Sequence, residues 1–131
     1  MRFSEKQAIF LRNFALLILY INSNKNWYST AGELLRTVDQ QRIYLKTGYT
    51  RTLKSLHLIK MAGDLNIFIY GIYANAKQFP DEFRKIGEYW QSINKANEWG
   101  GRFGVEPRDY KTKIGWDPAH FQMNPSTKLD D

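Results

Sequence analysis

Two histidines and two aspartates are the residues of this sequence whose types and spacing could perform metal chemistry. His57 is followed seven residues later by Asp64, and Asp117 lies three residues before His120. Two imidazoles and one carboxylate are the usual protein ligands of a catalytic zinc ion, whose fourth position stays open for water. A further carboxylate that is not a ligand is then needed as general base. The sequence supplies this set and has no other histidine.

The surroundings of the two aspartates indicate how each carboxylate is used. Asp64 lies in an apolar segment, residues 61–69. An unpaired carboxylate in a buried strand is costly, so it requires a metal ion or a cation such as Arg36. Asp117 precedes Pro118, which stiffens a tight turn and brings the carboxylate to the same side as the imidazole that follows. Each residue alone also has a structural interpretation: Asp64 as the partner of Arg36, Asp117 as a turn or N-cap residue, and each histidine as a core residue.

Composition and charge describe a single basic domain without cysteine chemistry. The 131 residues leave room for one core, over 1–131, with fraying expected at 1–3 and 125–131. Hydrophobic residues at 43% and charged residues at 24% exclude disorder, coiled coils and collagen-like repeats. The absence of cysteine excludes disulfides, thiolate metal sites and cysteine nucleophiles. The net charge of +6 favours an anionic partner: nucleic acid, lipid headgroups or a bacterial cell wall.

The hydrophobic pattern predicts an α+β fold, in which helices flank a small, mostly antiparallel sheet. The most apolar stretch, Phe14–Ile21, is too short to span a bilayer and lacks the cleavage site of a secretory signal. We predict instead a core helix over residues 4–22 that Ser4 caps. The further predicted elements are a strand opening at Trp27, a short helix between Thr37 and Gly48, a short strand over 54–58, a buried strand over 61–74 with a turn near Gly71, a helix over 81–97 and a brief strand over 120–123.

Four segments, in order between residues 30 and 123, resemble the motifs of one enzyme family. Ser55–Asp64 resembles the pattern S-x-H-x-x-G-x-A-x-D, and Trp116–Gln122 resembles an acid-x-x-His sequence followed by an aromatic residue and Glu or Gln. Glu98–Gly101 is similar to a Trp-Gly-Gly stretch, and Leu35–Tyr44 to an Arg-Thr…Gln…Leu-Tyr segment. By these motifs the chain resembles the VanY/VanX-like zinc peptidases, which include D-alanyl-D-alanine carboxypeptidases and dipeptidases and the L-alanyl-D-glutamate endopeptidases of phage endolysins. The resemblance implies a Hedgehog/DD-peptidase-like fold.

Two of these segments depart from the patterns of that family. Lys60 stands where the first motif has Gly, a residue that supplies backbone shapes other residues resist. Arg102 and Phe103 follow the Trp-Gly-Gly stretch, where the family usually has Asp-Trp. Neither change removes a ligand, so both bear on the turn beside the first ligand and on substrate preference.

The resemblance implies roles for six residues. It implies Zn²⁺ as the cofactor, held by His57, Asp64 and His120. Asp117 is then the general base, which takes a proton from zinc-activated water and passes it to the leaving amine. Arg36 matches an arginine that faces the scissile carbonyl, where it binds substrate and stabilises the oxyanion. For Ser55, substrate binding by a hydrogen bond and an ordinary role as a strand serine are equal alternatives.

The substrate class also comes from the resemblance, which implies a peptidase of the peptidoglycan stem peptide. We favour an L-alanyl-D-glutamate endopeptidase of the phage or prophage endolysin type, with D-alanyl-D-alanine carboxypeptidase activity as the close alternative. No signal peptide is recognised, so we expect synthesis in the cytoplasm and action at the cell wall or periplasm after release. We expect a monomer, with no stable membrane insertion and no nucleic-acid partner.

Two other classes of function stay open at this point. The first is a non-catalytic zinc module of the same fold, against which the presence of both Asp117 and Arg36 argues. The second is a basic nucleic-acid-binding domain without metal, which predicts that His57 and His120 lie far apart. Within the peptidase interpretation, Glu98 is the next candidate base and Arg51 the next candidate arginine.

Overall fold

A computed structural model of the chain describes residues 1–48 and 55–129. Within these residues the helices are α1 (Phe3–Ser23), α2 (Val38–Thr47) and α3 (Pro80–Ile93). The strands are β1 (Trp27–Ala31), β2 (Ala62–Ile69), β3 (Ile72–Tyr73), β4 (Asn97–Trp99) and β5 (His120–Met123). Short 3₁₀ helices cover Leu56–Ile59, Gly100–Arg102 and Pro107–Asp109. In these parts of the chain, no helix is long and apolar enough to cross a membrane.

The strands form one antiparallel sheet in the order β1-β2-β5-β4, and β3 pairs with β2 as a hairpin. Tyr70 and Gly71 connect β2 to β3 with φ of 53° and 76°, the left-handed values that a tight two-residue hairpin turn requires. The predicted α+β class is confirmed, and so is the turn near Gly71. The sheet register places Asp64 opposite His120.

The two faces of the sheet differ because side chains alternate along a strand. On β2, residues 65, 67 and 69 are buried, whereas residues 64, 66 and 68 of the opposite face are partly exposed. The core consists of apolar side chains from the helices and from the buried strand positions: Phe10, Phe14, Leu17 and Ile21 of α1, Phe83, Ile86 and Trp90 of α3, and Leu65, Ile67, Ile69, Trp99, Phe121 and Met123 of the sheet. Helices α1 and α3 therefore cover one face of the sheet, and the polar positions of β2 and β5 lie on the other.

Several predicted boundaries agree with the structure, and two predictions about the helices are wrong. Helix α1 extends the predicted range by one residue at each end. Ser4 lies inside α1 and does not cap it. The helix begins at Phe3, so its N-cap is Arg2, whose backbone N–H donates to Glu5 Oε2 at 3.3 Å. Helix α3 ends at Ile93, since the following residues turn into β4, which pairs with β5.

The strand predicted over 54–58 is also wrong in its described part, where Leu56–Ile59 forms a 3₁₀ helix. Lys54, the alternative arginine Arg51 and the last two residues of the chain lie outside the described residues. The predicted helix between Thr37 and Gly48 is confirmed, with the Thr37 side chain accepting a hydrogen bond from Gln40 N–H.

Candidate metal centre

Three side chains from two strands and a 3₁₀ helix converge on the open face of the sheet. His120 Nδ1 lies 2.9 Å from Asp64 Oδ1, because the register places the two residues opposite each other. His57 Nε2 lies 3.4 Å from the second carboxylate oxygen, Oδ2 of Asp64. One ligand atom from each residue lies within 4.8 Å of the others. The structure thus brings together the three residues that we predicted as metal ligands.

The 3₁₀ helix Leu56–Ile59 holds His57 toward the sheet. Ser55 Oγ accepts a hydrogen bond from the His57 N–H at 3.2 Å, which caps the helix at its start. Lys60 ends the helix with a φ of 59°, in the left-handed region that favours glycine. The Met61 N–H then bonds to the Leu56 carbonyl at 3.0 Å and leads the chain into β2. Lys60 therefore adopts the backbone shape for which the resembling motif uses glycine.

The side chain of His57 is oriented for metal binding through Nε2. Nδ1 lies 3.3 Å from the backbone carbonyl oxygen of Leu34. A carbonyl only accepts hydrogen bonds, so Nδ1 carries the proton and Nε2 keeps its lone pair. Nε2 is buried and has no hydrogen-bond partner among the described residues. An unpaired buried nitrogen that faces a carboxylate and a second imidazole is suited to bind a metal ion.

The carboxylate of Asp64 is ionised and strongly paired. Burial acts to raise the pKa of Asp64, but the hydrogen bond from His120 and the nearby imidazoles of His120 and His57 outweigh burial and lower the pKa to about 2. For His120, burial acts to lower the pKa, and the hydrogen bond and charge of Asp64 reverse that effect and raise it. The site therefore concentrates negative charge between two imidazoles, as a cation site requires.

Asp117 lies beside this cluster. The Asp117 carbonyl accepts a hydrogen bond from the His120 N–H at 3.1 Å, and Asp117 Oδ2 lies 3.8 Å from His120 Nδ1. Burial raises the pKa of Asp117, although the charge of His120 acts against it. Asp117 is therefore both a turn residue and a neighbour of the cluster, because the turn places its carboxylate beside His120.

The Trp-Gly-Gly stretch, residues 99–101, packs against the turn that carries Asp117. Trp99 Nε1 donates a hydrogen bond to the Pro118 carbonyl at 2.7 Å. A Cβ placed on Gly100 would lie 1.9 Å from the Asp117 carbonyl oxygen and 3.0 Å from the Cβ of His120. Only glycine permits this close approach, so the stretch fixes the position of the segment that carries both Asp117 and His120.

Arg36 is buried beside the 3₁₀ helix, with 8% of its surface exposed. Its Nε forms an ion pair with Glu33, its Nη1 donates to Gln41 Oε1 at 2.7 Å, and its backbone N–H donates to the His57 carbonyl at 3.3 Å. The charge of Arg36 also acts to lower the pKa of Asp117. Arg36 therefore pairs with Glu33 and not with Asp64, the partner that the sequence left open. Arg36 still lies close enough to Asp117 for its charge to affect the pKa of that carboxyl.

The two residues of less definite assignment have local partners. Ser55 Oγ receives the His57 N–H and also accepts from Arg36 Nη1 at 3.5 Å, so it links the arginine to the ligand helix. Its role in substrate binding stays a prediction. Phe103, at a position that departs from the family pattern, packs its ring 5.7 Å from that of His120.

Sequence reasoning missed the groups that orient the ligands. The Leu34 carbonyl, which lies against His57 Nδ1, cannot be recognised from the sequence, because every residue has a backbone carbonyl. Glu33 and Gln41 carry no spacing signal toward Arg36, although Gln41 is part of the resembling segment. The motif gives Trp116 no role, yet its side chain is 74% exposed and its ring lies 5.3 Å from that of Phe103, which packs against His120.

Comparison with known proteins identifies the fold. No protein-family model matches the sequence, and a search of curated proteins finds no significant match. Among solved structures, the chain is similar to the L-Ala D-Glu endopeptidase ChiX of Serratia marcescens, with a TM-score of 0.65 and 23% identity over 89% of this chain and 79% of that one. It is also similar to a mutant of the vancomycin-resistance D,D-pentapeptidase VanY in complex with Zn(II), with a TM-score of 0.50 and 17% identity over 87% of this chain and 70% of that one. The chain shares the fold of these two peptidases, as the motif resemblance predicted.

Proposed function

We propose that this protein is a zinc-dependent peptidase that hydrolyses the stem peptide of peptidoglycan. The observation that carries the proposal is the convergence of His57, Asp64 and His120, in which a buried imidazole nitrogen lacks a partner among the described residues. The fold supports it, because one solved protein of this fold is an L-Ala D-Glu endopeptidase and another is a D,D-pentapeptidase in complex with Zn(II). The convergence also argues against the nucleic-acid alternative, since the two histidine rings lie 5.1 Å apart.

His57 through Nε2, His120 through Nδ1 and the carboxylate of Asp64 are the donors for the metal. Two nitrogens and one carboxylate oxygen suit zinc and leave a coordination position for water. Zinc at such a site supplies a Lewis acid and lowers the pKa of water from 15.7 to about 7.

Asp117 is the proton carrier of the proposed reaction. It holds a carboxylate beside the ligand cluster without belonging to the set of three. Burial raises its pKa, which makes the carboxylate a better proton acceptor than an exposed aspartate. Asp117 then takes the proton of the attacking water and delivers it to the amine that leaves.

Arg36 stabilises the charge that develops on the scissile carbonyl oxygen. The ion pair with Glu33 and the hydrogen bond to Gln41 hold the guanidinium in one orientation, so little reorganisation is needed during the reaction. Ser55 shares a hydrogen bond with the same guanidinium and contributes to the substrate-facing side.

Among peptide bonds, we propose the one between L-Ala and D-Glu. The structural similarity to the endopeptidase is higher than that to the pentapeptidase, in both TM-score and coverage. We further propose that the protein acts as a monomer at the cell wall, as phage or prophage endolysins do. Its net charge of +6 favours approach to an anionic wall.

Mass spectrometry of purified disaccharide-pentapeptide fragments tests the choice of bond. An endopeptidase separates disaccharide-L-Ala from the rest of the stem, whereas a carboxypeptidase releases only the terminal D-Ala. Fragments that bind but stay intact with the zinc-loaded protein identify a non-catalytic module and contradict the proposal.

A further inference from the structure

A chain of hydrogen bonds crosses three strands on the open face of the sheet and ends at the candidate metal centre. Glu98 of β4 lies opposite Gln122 of β5, and its Oε1 accepts a hydrogen bond from Gln122 Nε2 at 2.8 Å. The other end of the same amide, Gln122 Oε1, lies 2.7 Å from His120 Nε2. His120 Nδ1 in turn faces Asp64 Oδ1 at 2.9 Å.

The polarity of this chain follows from the chemistry of its first member. A carboxylate accepts hydrogen bonds and donates none, so Glu98 requires the NH₂ group of the Gln122 amide. The amide oxygen then necessarily faces His120. An amide oxygen is an acceptor only, so His120 Nε2 carries a proton and donates it. Nδ1 faces the Asp64 carboxylate, which accepts a hydrogen bond from Nδ1–H in the metal-free protein, so a metal ion would displace the Nδ1 proton and leave the proton on Nε2 in place.

The backbone around the pair is fixed from the core side. Trp90 Nε1 lies 3.0 Å from the Glu98 carbonyl and 3.1 Å from the Gln122 carbonyl, and its indole N–H is shared between them. Trp90 is fully buried. The indole therefore holds β4 and β5 in the register that places Glu98 beside Gln122.

We propose that Glu98 and Gln122 are positioning residues that hold His120 with its proton on Nε2 and present Nδ1 to the metal. The proposal rests on the proposed zinc function. It also assigns Glu98 a task other than that of alternative general base, because Oε1 of its carboxylate accepts a hydrogen bond from the Gln122 amide. Outer partners that fix the orientation of a metal-binding histidine typically contribute about 10- to 100-fold to metal affinity.

Two readouts in the same variants test this proposal. Zinc affinity is measured by competition with a chelator. The hydrogen bond of His120 Nε2–H is followed by ¹H–¹⁵N NMR of the zinc-loaded protein, through the exchange of that proton with water. In the wild type we expect the proton on Nε2 and slow exchange. In Gln122→Leu we expect about 10- to 100-fold weaker zinc binding and fast exchange of the Nε2 proton.

A swap of the two side chains keeps the test independent of folding defects. In the double variant E98Q/Q122E an amide still faces a carboxylate, and that carboxylate accepts a hydrogen bond from His120 Nε2–H. We expect the double variant to recover the zinc affinity and the slow exchange of the Nε2 proton that are lost in Gln122→Leu. Gln78→Leu and Glu88→Gln make the same kinds of change at exposed positions, and we expect both to match the wild type.

The outcomes separate this proposal from the proposed function. Unchanged zinc affinity and unchanged exchange of the His120 Nε2 proton in Gln122→Leu overturn the positioning role while the zinc function stands. Loss of turnover in Glu98→Gln at full zinc affinity also overturns it, because Glu98 is then the base. If the wild type binds no zinc, the proposed function fails, and exchange of the His120 Nε2 proton in the metal-free wild type and Gln122→Leu still decides whether the pair holds His120.

Discussion

At the scale of single residues, the two oxygens of the Asp64 carboxylate divide between the two imidazoles. Oδ1 faces His120 and Oδ2 faces His57. In the metal-free protein this carboxylate is the only group of the ligand set that carries negative charge, and its ion pair with His120 stabilises the cluster. The pairing therefore has a signature in the pH dependence of stability.

We expect Asp64→Asn to remove a pH-dependent part of the stability of the metal-free protein. The pKa of Asp64 is lowered from 3.8 to about 2, so its contribution is present above the ordinary pKa and is lost as the pH falls toward 2. The pKa of His120 is raised from 6.5, so its contribution is present below 6.5 and is lost as the pH rises through the raised value. Urea unfolding of both proteins from pH 2 to pH 9 measures the difference, which we expect to peak between about pH 4 and 6.5. A difference that stays constant with pH contradicts the ion pairing.

Asp117 and His120 lie three residues apart, and substitution separates their proposed roles. In His120→Ala we expect zinc content and turnover to fall together, because a ligand is lost. In Asp117→Asn we expect zinc to be retained and turnover to fall about 10²- to 10⁴-fold, the usual contribution of a general base. Metal analysis and peptide cleavage on the same samples make the comparison. Loss of zinc in Asp117→Asn means that this carboxylate is a ligand, and full activity means that another acid is the base.

Arg36→Ala tests the proposed stabilisation of the carbonyl oxygen. We expect turnover to fall about 10²- to 10³-fold, the range seen when one oxyanion donor is removed, while zinc content changes little. Arg12→Ala is a suitable control, because Arg12 is exposed on α1, which packs against the opposite face of the sheet. Parallel losses of zinc and turnover in Arg36→Ala point instead to a structural role beside His57.

At the scale of elements, the 3₁₀ helix that carries His57 ends on a residue of unfavourable conformation. Lys60 has a φ of 59°, and left-handed backbone is unfavourable by roughly 1–2 kcal/mol for a residue with a Cβ. We expect Lys60→Gly to stabilise the metal-free protein by about 1 kcal/mol, after the added flexibility of glycine in the unfolded chain is subtracted. Thermal unfolding measures the change. Lys60→Ala keeps the Cβ and serves as the control, in which no such gain is expected, and an equal gain in both variants contradicts the conformational explanation.

The elements that the sequence predicted well are those with a strong hydrophobic pattern or clear boundary residues. Strand β2 is apolar at alternate positions, and α2 lies between Thr37 and a glycine in the left-handed conformation, Gly48. Strand β4 was missed because Asn97–Trp99 is too short to show a period, and it exists through its pairing with β5. The segment around His57 has the apolar composition of a strand, and only the Ser55 cap and the left-handed Lys60 make it a 3₁₀ helix.

At the scale of the whole molecule, the site joins segments that are distant in sequence. The identities of its candidate ligands could be predicted by counting histidines and carboxylates and from the motifs. Their orientation could not, because it depends on the Leu34 carbonyl and on the sheet register that places Gln122 beside Glu98. Backbone acceptors and register come from the folded chain, and neither leaves a mark at a fixed spacing in the sequence.

The layered architecture also determines what metal removal does. Helices α1 and α3 pack against one face of the sheet and form the core, whereas the candidate metal centre lies on the other face. We therefore expect the metal-free protein to stay folded, so that a loss of activity on chelation reports the loss of the metal itself.

The central claim is that a metal held by His57, Asp64 and His120 enables the protein to cleave peptidoglycan stem peptides. The most direct test measures zinc content and cleavage of purified stem-peptide fragments in one preparation, before chelation, after chelation and after zinc is restored, with circular dichroism to follow the fold. We predict one zinc ion per chain, cleavage that is lost with the metal and recovered with zinc, and an unchanged fold throughout. Cleavage that persists in the fully metal-free protein, or zinc-loaded protein that leaves every fragment intact, contradicts the account.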